Sequence, residues 1–211
     1  VERGSNIRFV SEPCPLPIAL AGVHQKWNAA LAVETLRASG LEISESAIRE
    51  GLLETQWPAR FQRLGRFIVD GAHNAHSAAA LAKTWREVFA DRQATVVFGA
   101  LADKDYPEIL AHLEPLAERF LFVPVENPRS ESPAALARCV HGRSHIYDAL
   151  EPALRAALDF PAPILVTGSL FLAGEALRIF TVADPNLFLT QKNEPLGFAF
   201  PLDVGDDAHR S

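Results

Sequence analysis

The 211-residue chain predicts an α/β fold, a mostly parallel sheet with helices on both faces. Three observations predict it. From about residue 60 onward, short apolar runs alternate with longer segments of helical periodicity, the pattern of successive strand–helix units. The apolar runs read as buried strands, as expected where both faces of a sheet are covered. The composition is 48% hydrophobic and 22% charged with both signs mixed, which suits a chain that buries a core.

The elements follow in order. Ile18-Ala19-Leu20 is a short apolar run between Pro17 and Gly22. A helix carrying Leu31, Val33 and Leu36 follows and stops at Ser39-Gly40, a glycine being the usual residue just past a helix end. Ser44 opens a second helix with Ile48, Leu52 and Leu53, which ends before Trp57-Pro58 because proline cannot continue it. Phe67-Ile68-Val69 is the first strand, and a helix over 76–89 places Ala78, Leu81, Ala82, Trp85, Val88 and Phe89 on one face. Thr95–Phe98 is the next strand. Ile109, Leu110, Leu113, Leu116, Ala117 and Phe120 mark a helix that Pro115 bends or splits, and Leu121-Phe122-Val123 is the third strand. Helices are expected near 133–140 and 150–158, with a short strand at His145-Ile146-Tyr147 between them. Ile164-Leu165-Val166 is the last strand, and Leu170 to Phe180 the last helix.

This pattern divides the chain into residues 1–56, the tail of a different domain, an α/β domain over 57–181, and an irregular extension over 182–211. Methionine is absent, so the chain, starting Val1-Glu2-Arg3-Gly4, is expected to be a piece of a longer one. A net charge of −6 argues against nucleic acid as a partner, because phosphate binding needs a basic face. No stretch reaches the roughly 18 apolar residues of a membrane helix, and with no charged segment followed by an apolar run near residue 1 a secretory signal is not expected. Cys14 and Cys139, outside any CxxC pattern, read as free thiols of a cytoplasmic protein.

In an open parallel sheet, ligands bind beyond the carboxyl ends of the strands. Polar residues collect at four such ends: Asp70-Gly71-Ala72-His73-Asn74, Gly99 to Asp105, Glu126-Asn127-Pro128-Arg129 and Thr167-Gly168-Ser169. These loops are expected to share one rim. Each member has an ordinary alternative. Asp70 could cap the next helix. His73 could be a half-buried structural histidine, or could join His76 and Asp70 around a metal, although no fourth ligand is evident. Asp103-Lys104-Asp105 could be a solvated turn, and Ser169 a helix cap. The G-x-x-x-x-G-K-[ST] phosphate loop, the GxGxxG dinucleotide loop and the G-x-S-x-G nucleophile elbow are all missing from the sequence.

Five segments carry a resemblance: His24-Gln25-Lys26-Trp27-Asn28-Ala29-Ala30, Trp57-Pro58-Ala59-Arg60-Phe61-Gln62, Asp70-Gly71-Ala72-His73-Asn74, Ala102-Asp103-Lys104-Asp105-Tyr106 and Val166-Thr167-Gly168-Ser169-Leu170. In this order, over residues 15 to 181, the chain resembles the bacterial folylpolyglutamate synthase / dihydrofolate synthase family of the Mur ligase superfamily. The family has Pro-Gly-Arg where this chain has Pro58-Ala59-Arg60, and proline where it has Ala75. The resemblance implies a Rossmann-like Mur ligase C-terminal domain preceded by the end of a central ATPase domain. It implies an ATP-dependent ligase that activates a carboxylate of dihydropteroate or folate as an acyl phosphate, which the amine of L-glutamate attacks. ATP would come with Mg2+, whose ligands lie in the family's upstream part, as do the phosphate loop and the pterin pocket. By the same resemblance Asn28 contacts the nucleotide at the inter-domain hinge, Arg60 reaches its phosphates, and Asp70 holds its ribose or base side. His73 is a nucleotide-side and catalytic candidate. Lys104, also a catalytic candidate, and Ser169 are expected to receive the incoming glutamate, more from their strand-end position than from the family pattern. A monomer is expected, inactive in ligation on its own. The rival readings are another Mur-type amino-acid ligase and a non-catalytic nucleotide-binding module.

Overall fold

The computed structural model describes residues 7–182. The expected extension over 182–211 lies outside them apart from Val182, which closes the last helix. The chain divides between Gln56 and Trp57 into two compact units.

In the first unit, α1 spans Val23–Ala38 and α2 Glu45–Glu54. Gly40 follows α1 at φ +75, a conformation that suits glycine, and the Ser44 hydroxyl caps α2 by accepting the Ala47 N–H at 3.2 Å. A small core of Cys14, Ala29 and Ala30 gathers Val10, Leu16, Ile18 and Leu52 around it.

The second unit holds a six-stranded sheet in the order β1-β2-β6-β3-β4-β5. The strands are β1 Gln62–Leu64, β2 Phe67–Val69, β3 Ala94–Phe98, β4 Ala117–Phe122, β5 Arg143–Ile146 and β6 Ile164–Thr167. All neighbours are parallel except β1, which folds back antiparallel on β2 with Gln62 opposite Val69. The helices are α3 Ala75–Phe89, α4 Tyr106–Leu113, α5 Pro133–Ala137, α6 Leu150–Ala157 and α7 Leu170–Val182. Residues of alternate parity point to opposite faces of a strand. Val69, Val97, Leu121 and Val166 pack with Leu154 of α6 and Leu172 of α7. Their neighbours Ile68, Val96, Phe120 and Leu165 face the other way and are equally buried, so both faces are covered. Among the described residues no helix is long and apolar enough to cross a membrane, and both cysteines are free thiols.

Two elements differ from expectation. The chain reaches β4 earlier than its apolar spacing suggests: a 3-10 turn at Glu114–Leu116 follows α4, and Ala117 and Phe120 lie in β4 rather than on a helix. Pro115 supplies the reason, since it has no N–H to continue the α-helical ladder. The strand β1 was not foreseen because it has three residues and no apolar run. It is defined by its pairing with β2 across a turn in which Gly65 takes φ +58.

Candidate functional site: the carboxyl rim of the sheet

The inserted position of β6 decides what meets at the rim. It enters between β2 and β3, so the loops after β2, β6, β3 and β4 lie side by side in that order. Backbone hydrogen bonds tie each loop to the next. Gly168 N–H donates to Ala72 O at 3.0 Å, Gly99 N–H to Thr167 O at 3.4 Å, and Glu131 N–H to Ala100 O at 2.9 Å. Two glycines make this closeness possible. A Cβ on Gly168, which sits at φ +109, would lie 2.6 Å from the Gly99 carbonyl oxygen, and one on Gly99 would lie 2.8 Å from the Val123 carbonyl oxygen.

Beside this rim stands the turn before β1. Ala59 and Phe61 both adopt left-handed backbone, at φ 56 and 47, with Arg60 between them. Ala59 and Phe61 are buried and Arg60 is exposed. Each end of the turn is tied down. Ala59 N–H donates to Gln62 Oε1 at 3.0 Å, Gly71 N–H to Ala59 O at 2.9 Å, and Phe61 N–H to Asp70 Oδ2 at 2.9 Å. Asp70 takes a second backbone N–H on its other oxygen, from Ala72 at 2.9 Å. Burial raises the Asp70 carboxyl above its usual range, and the two N–H donors with the charges of Arg60 and His73 offset only part of this.

Asp70 does not cap α3. Asn74 does, accepting Ser77 N–H on Oδ1 at 2.8 Å, while Ser77 Oγ receives Asn74 N–H at 3.2 Å, a reciprocal capping box. The same hydroxyl accepts His73 N–H at 3.1 Å. His73 is half-buried with Nδ1 2.8 Å from Gly71 O. A carbonyl can only accept, so a neutral His73 carries its proton on Nδ1 and leaves Nε2 as an acceptor.

Past β3, Asp103 lies between two cations, 3.3 Å from Lys104 Nζ and 3.4 Å from Arg129 Nη1. Desolvation opposes its ionisation, but the Lys104 hydrogen bond and the two cations outweigh it and hold the carboxyl below the usual range. Asp105 caps α4 by accepting Glu108 N–H at 3.2 Å. Ser169 is buried, and its Oγ accepts Phe171 N–H at 3.1 Å at the start of α7, leaving the hydroxyl proton for another acceptor. Thr167 Oγ1 is buried beside it with no hydrogen-bond partner among the described residues.

Arg60, Asp70, His73, Lys104 and Ser169 therefore all belong to the second unit and lie on its strand-end loops or the turn beside them. Asn28 is an exposed residue of α1 in the first unit, where its Nδ2 donates to Gln25 Oε1 at 3.0 Å. Sequence reasoning did not single out Phe61 or Gln62, and it named Arg129 without its tie to Asp103. The one signal for the turn was alanine at a position where the family has glycine, which the left-handed φ of Ala59 now explains. The other departure has the same kind of explanation. Ala75 is the first residue of α3, a position that proline favours because its N–H has no partner within the helix. Among the described residues no group of three or more His, Cys, Asp or Glu converges on a metal position.

A mostly parallel sheet that ends in these loops defines a class. Residues 59–170 match the Mur ligase, glutamate ligase domain, and the chain belongs to that family. More particularly, it is similar to folate ligases. It is 34% identical over 174 residues to the dihydrofolate synthase/folylpolyglutamate synthase of Escherichia coli, a match over 80% of this chain and 40% of that protein. The Mycobacterium tuberculosis folylpolyglutamate synthase complexed with ADP and AMPPCP superposes with a TM-score of 0.72 at 31% identity, over 78% of this chain and 42% of that one. The bifunctional Yersinia pestis enzyme complexed with AMPPNP and Mn superposes with a TM-score of 0.71 at 28% identity, over 80% and 41%. The chain thus spans about two fifths of the length of these relatives.

Proposed function

We propose that this chain is the amino-acid-adding portion of a cytoplasmic, ATP-dependent ligase that joins L-glutamate to dihydropteroate or to a folate. The observation that carries the reading is the joining of the Asp70–Asn74, Ala102–Tyr106 and Val166–Leu170 segments along one backbone-tied rim, in a chain of this family similar to folate ligases. ATP first phosphorylates the acceptor carboxylate. The glutamate amine then attacks the acyl phosphate through a tetrahedral intermediate and expels phosphate. Such a reaction needs positioning and charge stabilisation more than covalent chemistry from the protein.

Arg60, exposed and rigidly mounted, suits the nucleotide phosphates, where a guanidinium fork pairs two oxygens. Asp70 lies on the nucleotide side, although both of its oxygens already hold backbone N–H groups. Asn28 and His73 are the remaining nucleotide-side candidates, His73 offering Nε2 as an acceptor when neutral. Lys104 and Ser169 would take the incoming glutamate. The Lys104 cation and the Ser169 hydroxyl proton at the start of α7 both suit a carboxylate. No metal set is formed by the described residues, so magnesium would arrive with ATP on a partner portion like the one the relatives carry in their remaining length. On this reading the chain alone does not ligate, and the active form is a monomer of the longer polypeptide.

The test is incorporation of labelled glutamate into dihydropteroate and tetrahydrofolate with ATP and magnesium, by this chain and by the longest polypeptide encoded with it. Activity of the longer protein alone, strongly reduced by Arg60→Ala, is the expected result. A longer protein that ignores both acceptors overturns the folate assignment in favour of another amino-acid ligase.

A further inference from the structure

The turn over Ala59-Arg60-Phe61 is strained in a way that its surroundings fully account for. A non-glycine residue in left-handed backbone costs about 1–2 kcal/mol, and such conformations persist only where neighbouring contacts over-determine them. Here two such residues flank a single exposed arginine. The Phe61 ring is buried against the indole of Trp85, edge-on at 6.2 Å, and against the ring of Phe89 at 6.3 Å, both on α3. Its backbone N–H is held by Asp70. Ring and amide together leave the turn one way to run, with Arg60 outward and its neighbours inward.

We propose that Phe61 is the positioning residue for Arg60. Its side chain, anchored on α3, and its amide, anchored on the carboxylate that follows β2, hold the guanidinium where the ligand phosphates pass. Phe61 touches no ligand on this account and acts only through Arg60. The proposal rests on the nucleotide-side reading of Arg60 given above. It also gives Asp70 a second duty, since the carboxylate fixes the turn whether or not it meets the nucleotide. The Trp85 indole is itself locked, its Nε1–H donating to Arg92 O at 2.8 Å, so the surface against which Phe61 packs cannot easily follow a smaller side chain.

The experiment uses the longest polypeptide carrying this chain, assayed for ATP-dependent glutamate incorporation, with Arg60→Ala, Phe61→Leu and the double variant. Phe61→Leu keeps an apolar side chain in the slot, so that the fold survives where Phe61→Ala would open a cavity; amide hydrogen exchange across β2, β3 and β6 checks this. Misplacing a binding group by about an ångström costs up to roughly a hundredfold, and loss of the anchor is expected to raise the KM for ATP by about tenfold while the KM for glutamate stays within about twofold. The double variant should be no worse than Arg60→Ala alone, because Phe61 has nothing further to position. Losses in the double variant that multiply, or a Phe61→Leu enzyme with unchanged KM for ATP, overturn the positioning role alone. An Arg60→Ala enzyme with unchanged KM for ATP, or a wild-type polypeptide without glutamate incorporation, overturns the reading beneath it and this proposal together.

Discussion

The β1–β2 hairpin carries an arginine at each end, and the two have opposite fates. Arg60, before β1, stands exposed at the carboxyl rim between two residues forced into left-handed backbone. Arg66, in the turn between the strands, lies at the other end of the sheet. Its guanidinium donates to Leu158 O at 3.1 Å, to Ala162 O at 3.0 Å and to Phe160 O, closing the loop between α6 and β6. Next to it the Arg119 guanidinium lies 3.7 Å from the centre of the Phe160 ring. At the amino end of the sheet cations are consumed in holding loops. At the carboxyl rim, backbone and glycine contacts tie the loops, Lys104 and Arg129 pair with Asp103, and Arg60 is left facing solvent. That difference separates an end where Arg66 is spent on carbonyls from one where Arg60 is free for the anions of the proposed reaction, and it can be attacked from either side.

The largest effect should come from the rim glycines. In Gly168→Ala the new Cβ would meet the Gly99 carbonyl oxygen and the Phe98 ring, both at 2.6 Å, in backbone at φ +109. Neither neighbour can retreat, since one is backbone and the other a buried ring. A loss of about 3 kcal/mol in urea denaturation is expected. A loss below about 0.5 kcal/mol would mean that the rim is not held by this close approach.

Next in size is Arg66→Ala, which strips three carbonyls of a charged donor and should cost about 2 kcal/mol. Arg60→Ala, made in parallel, should stay within about 0.5 kcal/mol of the parent, as surface substitutions usually do. Equal losses for the two arginines would erase the comparison. Ala59→Gly goes the other way. Glycine pays no Cβ penalty at φ 56, so a gain of about 1 kcal/mol is expected. The gain would also show that alanine here is a burden that the surrounding hydrogen bonds carry.

Much of this contrast was legible in the sequence, and the unread part has a physical cause. The strands showed as short, mostly apolar runs at Phe67-Ile68-Val69, Thr95–Phe98 and Ile164-Leu165-Val166 because both of their faces are buried. The rim followed from a general rule about strand ends, and Arg60, Asp70, His73, Lys104 and Ser169 all fell on it or beside it. What periodicity cannot report is pairing between distant residues. The insertion of β6 between β2 and β3, the grip of Arg66 on carbonyls more than 90 positions away, and the hold of Asp70 on Phe61 N–H leave no local pattern. Arg60 and Arg66 look alike in sequence, and only the antiparallel return of β1 on β2 sends them to opposite ends.

Two carboxylates sharpen the comparison through pH. Asp70 at the rim and Glu114 at the opposite end each accept two backbone N–H groups. Those on Glu114 Oε1 come from His141 at 2.5 Å and Gly142 at 3.2 Å. Their pKa values move in opposite directions. Burial dominates at Asp70 and raises its pKa. At Glu114 the His141 amide dominates, and the carboxyl is held below its usual range. A raised carboxyl binds its proton more readily in the folded chain, so the Asp70 contribution is full below the unfolded value and is lost as pH rises through the raised one. Glu114 does the reverse, contributing above the unfolded value and losing it as pH falls through the depressed one. Glu114→Gln should therefore flatten the acid side of the stability curve while leaving the side governed by Asp70 in place. The measurement is Tm from pH 7 down to pH 3, for parent and variant. Parallel curves would mean that the amino end of the sheet is indifferent to this doubly hydrogen-bonded carboxylate, and that its stability rests on Arg66 and its neighbours instead.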